Sequence, residues 1–180
     1  MQERVLLAGP AGAGKSAAIR AVSAIAPTLT DAGRVAGGAA LELETGVMDI
    51  GRGAPLMLYG APSPERFDAA WEELVDRCTG VLLLVDHSAA GPAEALRGYR
   101  KLLARRRGAP RPLVVGVTHT DIAPHRPMTI YRAAAGRHDD YPLPLFAMDA
   151  RKPLDVRAGV LTLVALLEMH RRFAGAGTQD

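Results

Sequence analysis

The chain has 180 residues, 48% of them apolar, and a net charge of +3. That length suits one domain with a full core and is short for two. No apolar run reaches the roughly 20 residues that span a bilayer, "MQERVLLAGP" is too short in apolar residues for a signal peptide, and the single Cys78 excludes an internal disulfide.

A reducing cytoplasm is therefore the expected location, with Cys78 as a small core residue. The basic residues are nearly all arginine; the lysines are Lys15, Lys101 and Lys152. The first element is "RVLLAG", Arg4 to Gly9, an apolar run ending in glycine, as a buried parallel strand would. "GPAGAGKS", Gly9 to Ser16, follows at once and matches G-x-x-x-x-G-K-[ST] between a strand and a helix. Glycines let such a loop curl its N–H groups around a phosphate, and the helix N-terminus adds partial positive charge. The nucleotide contacts are then expected from Gly9, Ala11, Gly12, Ala13, Gly14, Lys15, Ser16 and Ala17. Lys15 reaches the β- and γ-phosphates, a catalytic role, and the Ser16 hydroxyl ligates Mg²⁺. A nucleoside triphosphate site is the firmest expectation, and the motif does not choose between ATP and GTP.

"KSAAIRAVSAIA", Lys15 to Ala26, is an Ala-rich helix that Pro27 should stop, and residues 27 to 40 are rich in Gly, Ala and Thr and read as loop. "LELETGVMDIG", Leu41 to Gly51, and "PLMLYG", Pro55 to Gly60, read as an antiparallel hairpin. Phe67, Trp71, Leu74 and Cys78 give residues 64 to 78 a helical spacing. "GVLLLVD", Gly80 to Asp86, reads as a fully buried strand. A helix follows over residues 92 to 107, with Leu96, Tyr99 and Leu103 on one face. "PLVVGVTHTD", Pro112 to Asp121, is another buried strand with a polar end. Residues 126 to 136 predict a weak helix and Pro142 to Ala150 a short last strand. Asp155 caps a long apolar helix through Phe173. The basic segment Arg97 to Arg111 is a solvated helix face or an anion-facing surface. It lacks the interleaved aromatics that nucleic-acid stacking uses, so no nucleic acid is expected.

The alternation of strands and helices predicts an α/β fold with helices on both faces of a mostly parallel sheet. The expected form is the three-layer α/β/α sandwich of a P-loop NTPase. Six strands are expected, one of them an antiparallel edge strand. Residues 1 to 174 make the domain and 175 to 180 a frayed tail.

With the order of motifs in place, the chain over residues 3 to 173 resembles the Ras-like small GTPases. It looks closest to the bacterial branch of gliding-motility (MglA-type) and conservon-associated GTPases. In that branch the second switch reads roughly G-T-P-G-Q-E-R-F. Here "GAPSPERF" keeps Gly60, Pro62, Glu65, Arg66 and Phe67 but has Ser63 for the glycine and Pro64 for the glutamine. Gly60 also stands where a metal-supporting Asp is usual. The resemblance implies Thr45 as a switch I ligand of Mg²⁺. It sets "THTD", Thr118 to Asp121, where the family has N-K-x-D. Asp121 would accept two hydrogen bonds from guanine, with His119 stacking on the base and Thr118 in the place of Asn. "MDAR" would present the Ala150 N–H to the guanine carbonyl, with Arg151 beside it, although a simple turn explains that segment equally well.

The implied function is a guanine-nucleotide switch using GTP, GDP and Mg²⁺. Its loops, residues 27 to 50 and 60 to 72, would meet a protein partner, a roadblock-type activator among the family's partners. Pro64 has no side-chain polar group and no N–H, so hydrolysis of the GTP phosphoanhydride should be slow. Ser63 and Glu65 are the catalytic candidates left in that loop, and Arg34 a candidate arginine in cis. Two alternatives stand beside this one. The first is a pseudo-GTPase that works by protein contact without turnover. The second is a small ATPase or kinase in which Asp86 holds Mg²⁺, with His87 next to it.

Overall fold

In a computed structural model of the chain, residues 3–34, 40–51, 53, 55–62, 68–104, 111–138 and 141–176 are described. The elements run β1 (Arg4–Ala8), α1 (Lys15–Val22), β2 (Thr28–Arg34), β3 (Ala40–Met48), β4 (Leu56–Gly60), α2 (Asp68–Arg77), β5 (Gly80–Asp86) and α3 (Pro92–Ala104). Then come β6 (Leu113–Thr118), a 3₁₀ turn (Met128–Tyr131), α4 (Arg132–Ala135), β7 (Arg137–His138), β8 (Tyr141–Pro142), β9 (Leu145–Ala147) and α5 (Pro153–Ala176).

Seven strands form the main sheet in the order β2-β3-β4-β1-β5-β6-β9. β3 is antiparallel to both its neighbours, and the remaining pairs are parallel. The central strands are apolar throughout because both faces of the sheet are covered. Along β1, Leu6 and Ala8 point to the face that carries Trp71, Leu74 and Leu96 of α2 and α3. Val5 and Leu7 point to the other face, against Ile19 of α1 and Val156, Val160 and Leu163 of α5. Trp71 and Tyr99 meet edge to face at 6.2 Å and seal the first layer. Cys78 is buried there, and burial pushes its thiol up to about 12, as befits a core residue.

The three-layer arrangement and the β3–β4 hairpin agree with the sequence expectation, and three details differ. The sheet has seven strands, not six, because Thr28–Arg34 pairs with β3 in the register Thr28↔Thr45 to Asp31↔Glu42. α1 stops at Val22 and not at Pro27. There Ser23 turns extended, its hydroxyl accepts the Val47 N–H at 3.0 Å, and the Ala24 N–H reaches the Val47 carbonyl at 2.6 Å. Asp155 lies in the first turn of α5, and its carboxylate accepts the N–H of Asp149, six residues back. Among the described residues, no helix is long and apolar enough to cross a membrane.

Candidate functional site

Parallel strands β1, β6 and β9 all end on one side of the sheet, and the loops that leave them build the site. The first is Gly9–Gly14. Gly9 has φ +141°, and a Cβ there would sit 2.2 Å from the Leu84 carbonyl oxygen, so the loop passes directly over β5. Gly14 has φ +94° at the start of α1, where a Cβ would sit 2.9 Å from that of Ala150. No acidic side chain lies in the first turn of α1, so the positive end of that helix is uncompensated. Lys15 folds over the loop, and its Nζ donates to the carbonyls of Gly9 at 2.7 Å and Pro10 at 2.8 Å. Burial lowers the pKa of Lys15 from its ordinary value.

The second loop follows β6. Thr118 is buried, and its hydroxyl lies 3.0 Å from the Ala13 carbonyl and 3.3 Å from that of Val85. One O–H donates to one acceptor at a time. Thr118, expected as a nucleotide contact, thus fastens β6 to the phosphate loop. His119 follows with φ +57°, the one non-glycine residue with positive φ among those described. Its Nδ1 lies 3.1 Å from Asp86 Oδ1. Asp121 emerges two residues later with its carboxylate exposed.

The third loop, Met148 to Lys152, joins β9 to α5. The Met148 N–H bonds the Val117 carbonyl at 2.8 Å and so continues the sheet. Asp149 accepts the Arg151 N–H at 3.0 Å and the Arg151 guanidinium at 2.8 and 2.9 Å. Those bonds hold the Asp149 carboxyl far below the usual carboxylate range. The same guanidinium reaches Asp121 at 3.0 Å.

These loops enclose one open cavity of ≈ 370 Å³. It brings together Gly12, Gly14, Lys15, Ser16, Ala17, Thr118, His119, Asp121, Ala150 and Arg151, all singled out from sequence, with Arg20 and Asp149, which were not. Asp149 was signalled by its place between the last strand and the start of α5, where an acid fixes a turn. Arg20 projects one helical turn beyond Ser16, and pairs with Glu44 at 3.5 Å. Gly9, Ala11 and Ala13 do not line the cavity. Gly9 and Ala13 are buried within the loop, and Ala11 is exposed.

Thr45 stands apart from this group. It lies inside β3, paired with Thr28 on one side and Tyr59 on the other. It is buried, its hydroxyl bonds the Leu43 carbonyl at 3.4 Å, and it does not line the cavity. Thr45 thus lies within the strand that the sequence predicts over Leu41–Gly51, apart from the cavity. Ser63, Pro64 and Glu65 lie outside the described residues, as does the side chain of Arg34.

Asp86 ends β5 with Oδ1 occupied by the Ser88 N–H at 2.9 Å and the Ser88 hydroxyl at 2.6 Å, beside His119. Burial raises its pKa, but the Ser88 bonds and the His119 imidazole outweigh that and hold it below its ordinary value. Asp86 is a turn cap here. His87 is buried, with Nε2 2.9 Å from the Arg126 carbonyl and Nδ1 2.9 Å from the Tyr131 hydroxyl. A carbonyl only accepts, so Nε2 carries the proton and Nδ1 accepts from Tyr131. Arg126 in turn donates to the carbonyls of His87 and Ala89. His87 locks the loop after β6 and does not line the cavity.

No protein-family model and no curated protein matches the chain. Solved structures do. The chain is similar to the G domain of the T. maritima FeoB iron transporter, with 16% identity and a TM-score of 0.64 over 91% of this chain and 99% of that one. It is also similar to the cytosolic domain of that protein in GDP form I (14% identity, TM-score 0.65, 93% of this chain and 64% of that one). The GMPPNP form of that domain gives 14% identity and a TM-score of 0.61, again over 64% of its length. The chain therefore has the α/β fold of a G domain.

Proposed function

We propose that this chain is a guanine-nucleotide-binding regulatory protein, a small GTPase-like switch whose unaided hydrolysis is slow. The observation that carries the proposal is one cavity lined by two chemically distinct sets of residues. Lys15 and Ser16 of its lining suit a polyphosphate, and Asp121 and Ala150 suit the edge of a purine. A carboxylate that accepts two hydrogen bonds selects guanine, whose ring N–H and exocyclic amine form the matching pair. At about 1.5–3 kcal/mol for each charge-assisted bond, two such bonds favour guanine by roughly 10²- to 10⁴-fold. The FeoB cytosolic domain, similar in fold, has structures in GDP and GMPPNP forms, and that likeness supports the same ligand class.

Magnesium fits this site in company with nucleotide. Ser16 offers one hydroxyl ligand, and no group of three His, Cys, Asp or Glu among the described residues supplies more. Mg²⁺ keeps several waters and takes substrate phosphates as ligands, so one hydroxyl suffices. Held there by Ser16, it would supply positive charge against the phosphates of a nucleotide.

Gly60 ends β4 and pairs with Glu44, with no carboxylate to support the ion. That residue and Pro64 favour a second reading, a pseudo-GTPase that binds nucleotide or a protein partner without turnover. The switch loops would present that partner surface, and the cytoplasm remains the proposed location. An ATPase built on Asp86 is disfavoured because Ser88 and His119 already engage Oδ1 of its carboxylate, which does not line the cavity.

The test is titration calorimetry of nucleotide-stripped protein with Mg²⁺ and GTP, GDP or ATP, followed by single-turnover hydrolysis. GTP and GDP should bind and ATP should not, with hydrolysis at or below the order of 10⁻⁴ s⁻¹. Binding without any turnover leaves the pseudo-GTPase. Tight ATP binding alone overturns both.

A further inference from the structure

Arg151 lies between two carboxylates at the base end of the cavity. Its Nε and Nη2 fork onto Asp149 at 2.8 and 2.9 Å, and Nη2 also reaches Asp121 Oδ2 at 3.0 Å. Nη2 carries two hydrogens, so each carboxylate receives its own. The fork is itself anchored. The Asp149 N–H donates to Asp155 Oδ2 at 2.9 Å at the head of α5, and Asp149 Oδ1 also accepts the Arg151 N–H. Among the described residues, Arg151 is the side chain that bonds the Asp121 carboxylate.

Two acids thus line one cavity. Without the guanidinium they would face each other as like charges, and Asp121, largely exposed, would turn away from Asp149. With it, one N–H occupies one lone pair of Oδ2. Oδ1 and the second lone pair of Oδ2 remain free to accept from a base. Resting on the guanine reading above, we propose that Arg151 is a positioning residue for base selection, neutralising Asp149 and fixing Asp121 for the guanine edge. An arginine suits this task because its rigid planar fork holds one carboxylate at two points while reaching a second. An exposed pair of this kind contributes little to fold stability, so its loss should appear in ligand choice and not in folding.

The experiment compares GDP and ADP affinity by calorimetry in the full chain, for wild type, R151A, R151K, D149N and the double variant R151A/D149N. R151A should lower the GDP-to-ADP preference by about tenfold, the scale of one charge-assisted bond, with thermal unfolding unchanged. R151K, a point charge without a fork, should recover part of the preference. R151A/D149N should recover most of it, because the repelling charge is gone; a merely structural role for Arg151 predicts no such rescue. Undiminished preference in R151A, or an increase that would mark Arg151 as a mask over Asp121, overturns the proposal, as does failure of the double variant to recover. Wild-type protein with no preference for GDP sinks the guanine reading and this proposal with it. Wild-type preference that survives in R151A sinks this proposal alone.

Discussion

Thr118 shows how a single side chain joins two loops. Its buried hydroxyl ties the end of β6 to the Ala13 carbonyl, so two of the loops that line the cavity are joined through one hydrogen bond. T118V keeps the shape and leaves that carbonyl without its donor. It should cost about 1–2 kcal/mol of unfolding free energy and weaken nucleotide binding, while T118S should retain both. Denaturant unfolding with each variant checks this, and equal stability of T118V and T118S would remove the tie from the account. Asp86 supplies the acid-side prediction. Its folded pKa lies below its ordinary 3.8, so the stabilisation it brings is present above that value and is lost as pH falls through the folded pKa. The stability difference between wild type and D86N should therefore stay level from neutral pH to about 5 and shrink below about 4. A difference that shrinks already between pH 7 and 5 would assign it to another group.

Elements were legible where packing writes a pattern into the sequence and illegible where backbone pairing alone decides. β5 and β6 are apolar at every turn of the pleat and announce themselves as buried strands. The phosphate loop is legible because its glycines, lysine and serine have a fixed spacing between two such elements. β2 is not legible, because an edge strand has one free side and its Leu29 is 69% exposed, so no alternation marks it. The hairpin that holds Thr45 was legible, and what was not is its second partner, since Thr28 pairs with it from β2. The end of α1 was misjudged because Pro27 is the obvious stop, whereas the Ser23 hydroxyl already binds the Val47 N–H and donates to the Ile25 carbonyl at 2.7 Å. S23A leaves the Val47 N–H without that acceptor and should lower stability by about 1 kcal/mol, measured by urea unfolding. An unchanged midpoint would mean that β3 holds the helix end without Ser23. That Asp121 lines the cavity was legible from its motif. The Arg151 fork was not, since it joins residues 30 apart in the chain.

At the scale of the molecule, the cavity draws on residues 12–20, 118–121 and 149–151, which are distant in sequence and meet because β1, β5, β6 and β9 are parallel neighbours. A ligand that spans it binds the folded chain and not the unfolded one, so it must raise the unfolding temperature. At 100 times its dissociation constant a ligand adds about 2.7 kcal/mol. For a chain of this length that corresponds to a shift of roughly 5–10 °C. GDP with Mg²⁺ should give such a shift. Pyrophosphate, which meets Lys15 and Ser16 alone, and guanosine, which meets Asp121 and Ala150 alone, should each give much less at the same concentration. K15A should abolish the pyrophosphate shift and leave that of guanosine, whereas D121A should do the reverse. If GDP shifts the transition no further than pyrophosphate does, the base end adds nothing to binding, and the carboxylate at 121 belongs to the Arg151 turn and not to a nucleotide.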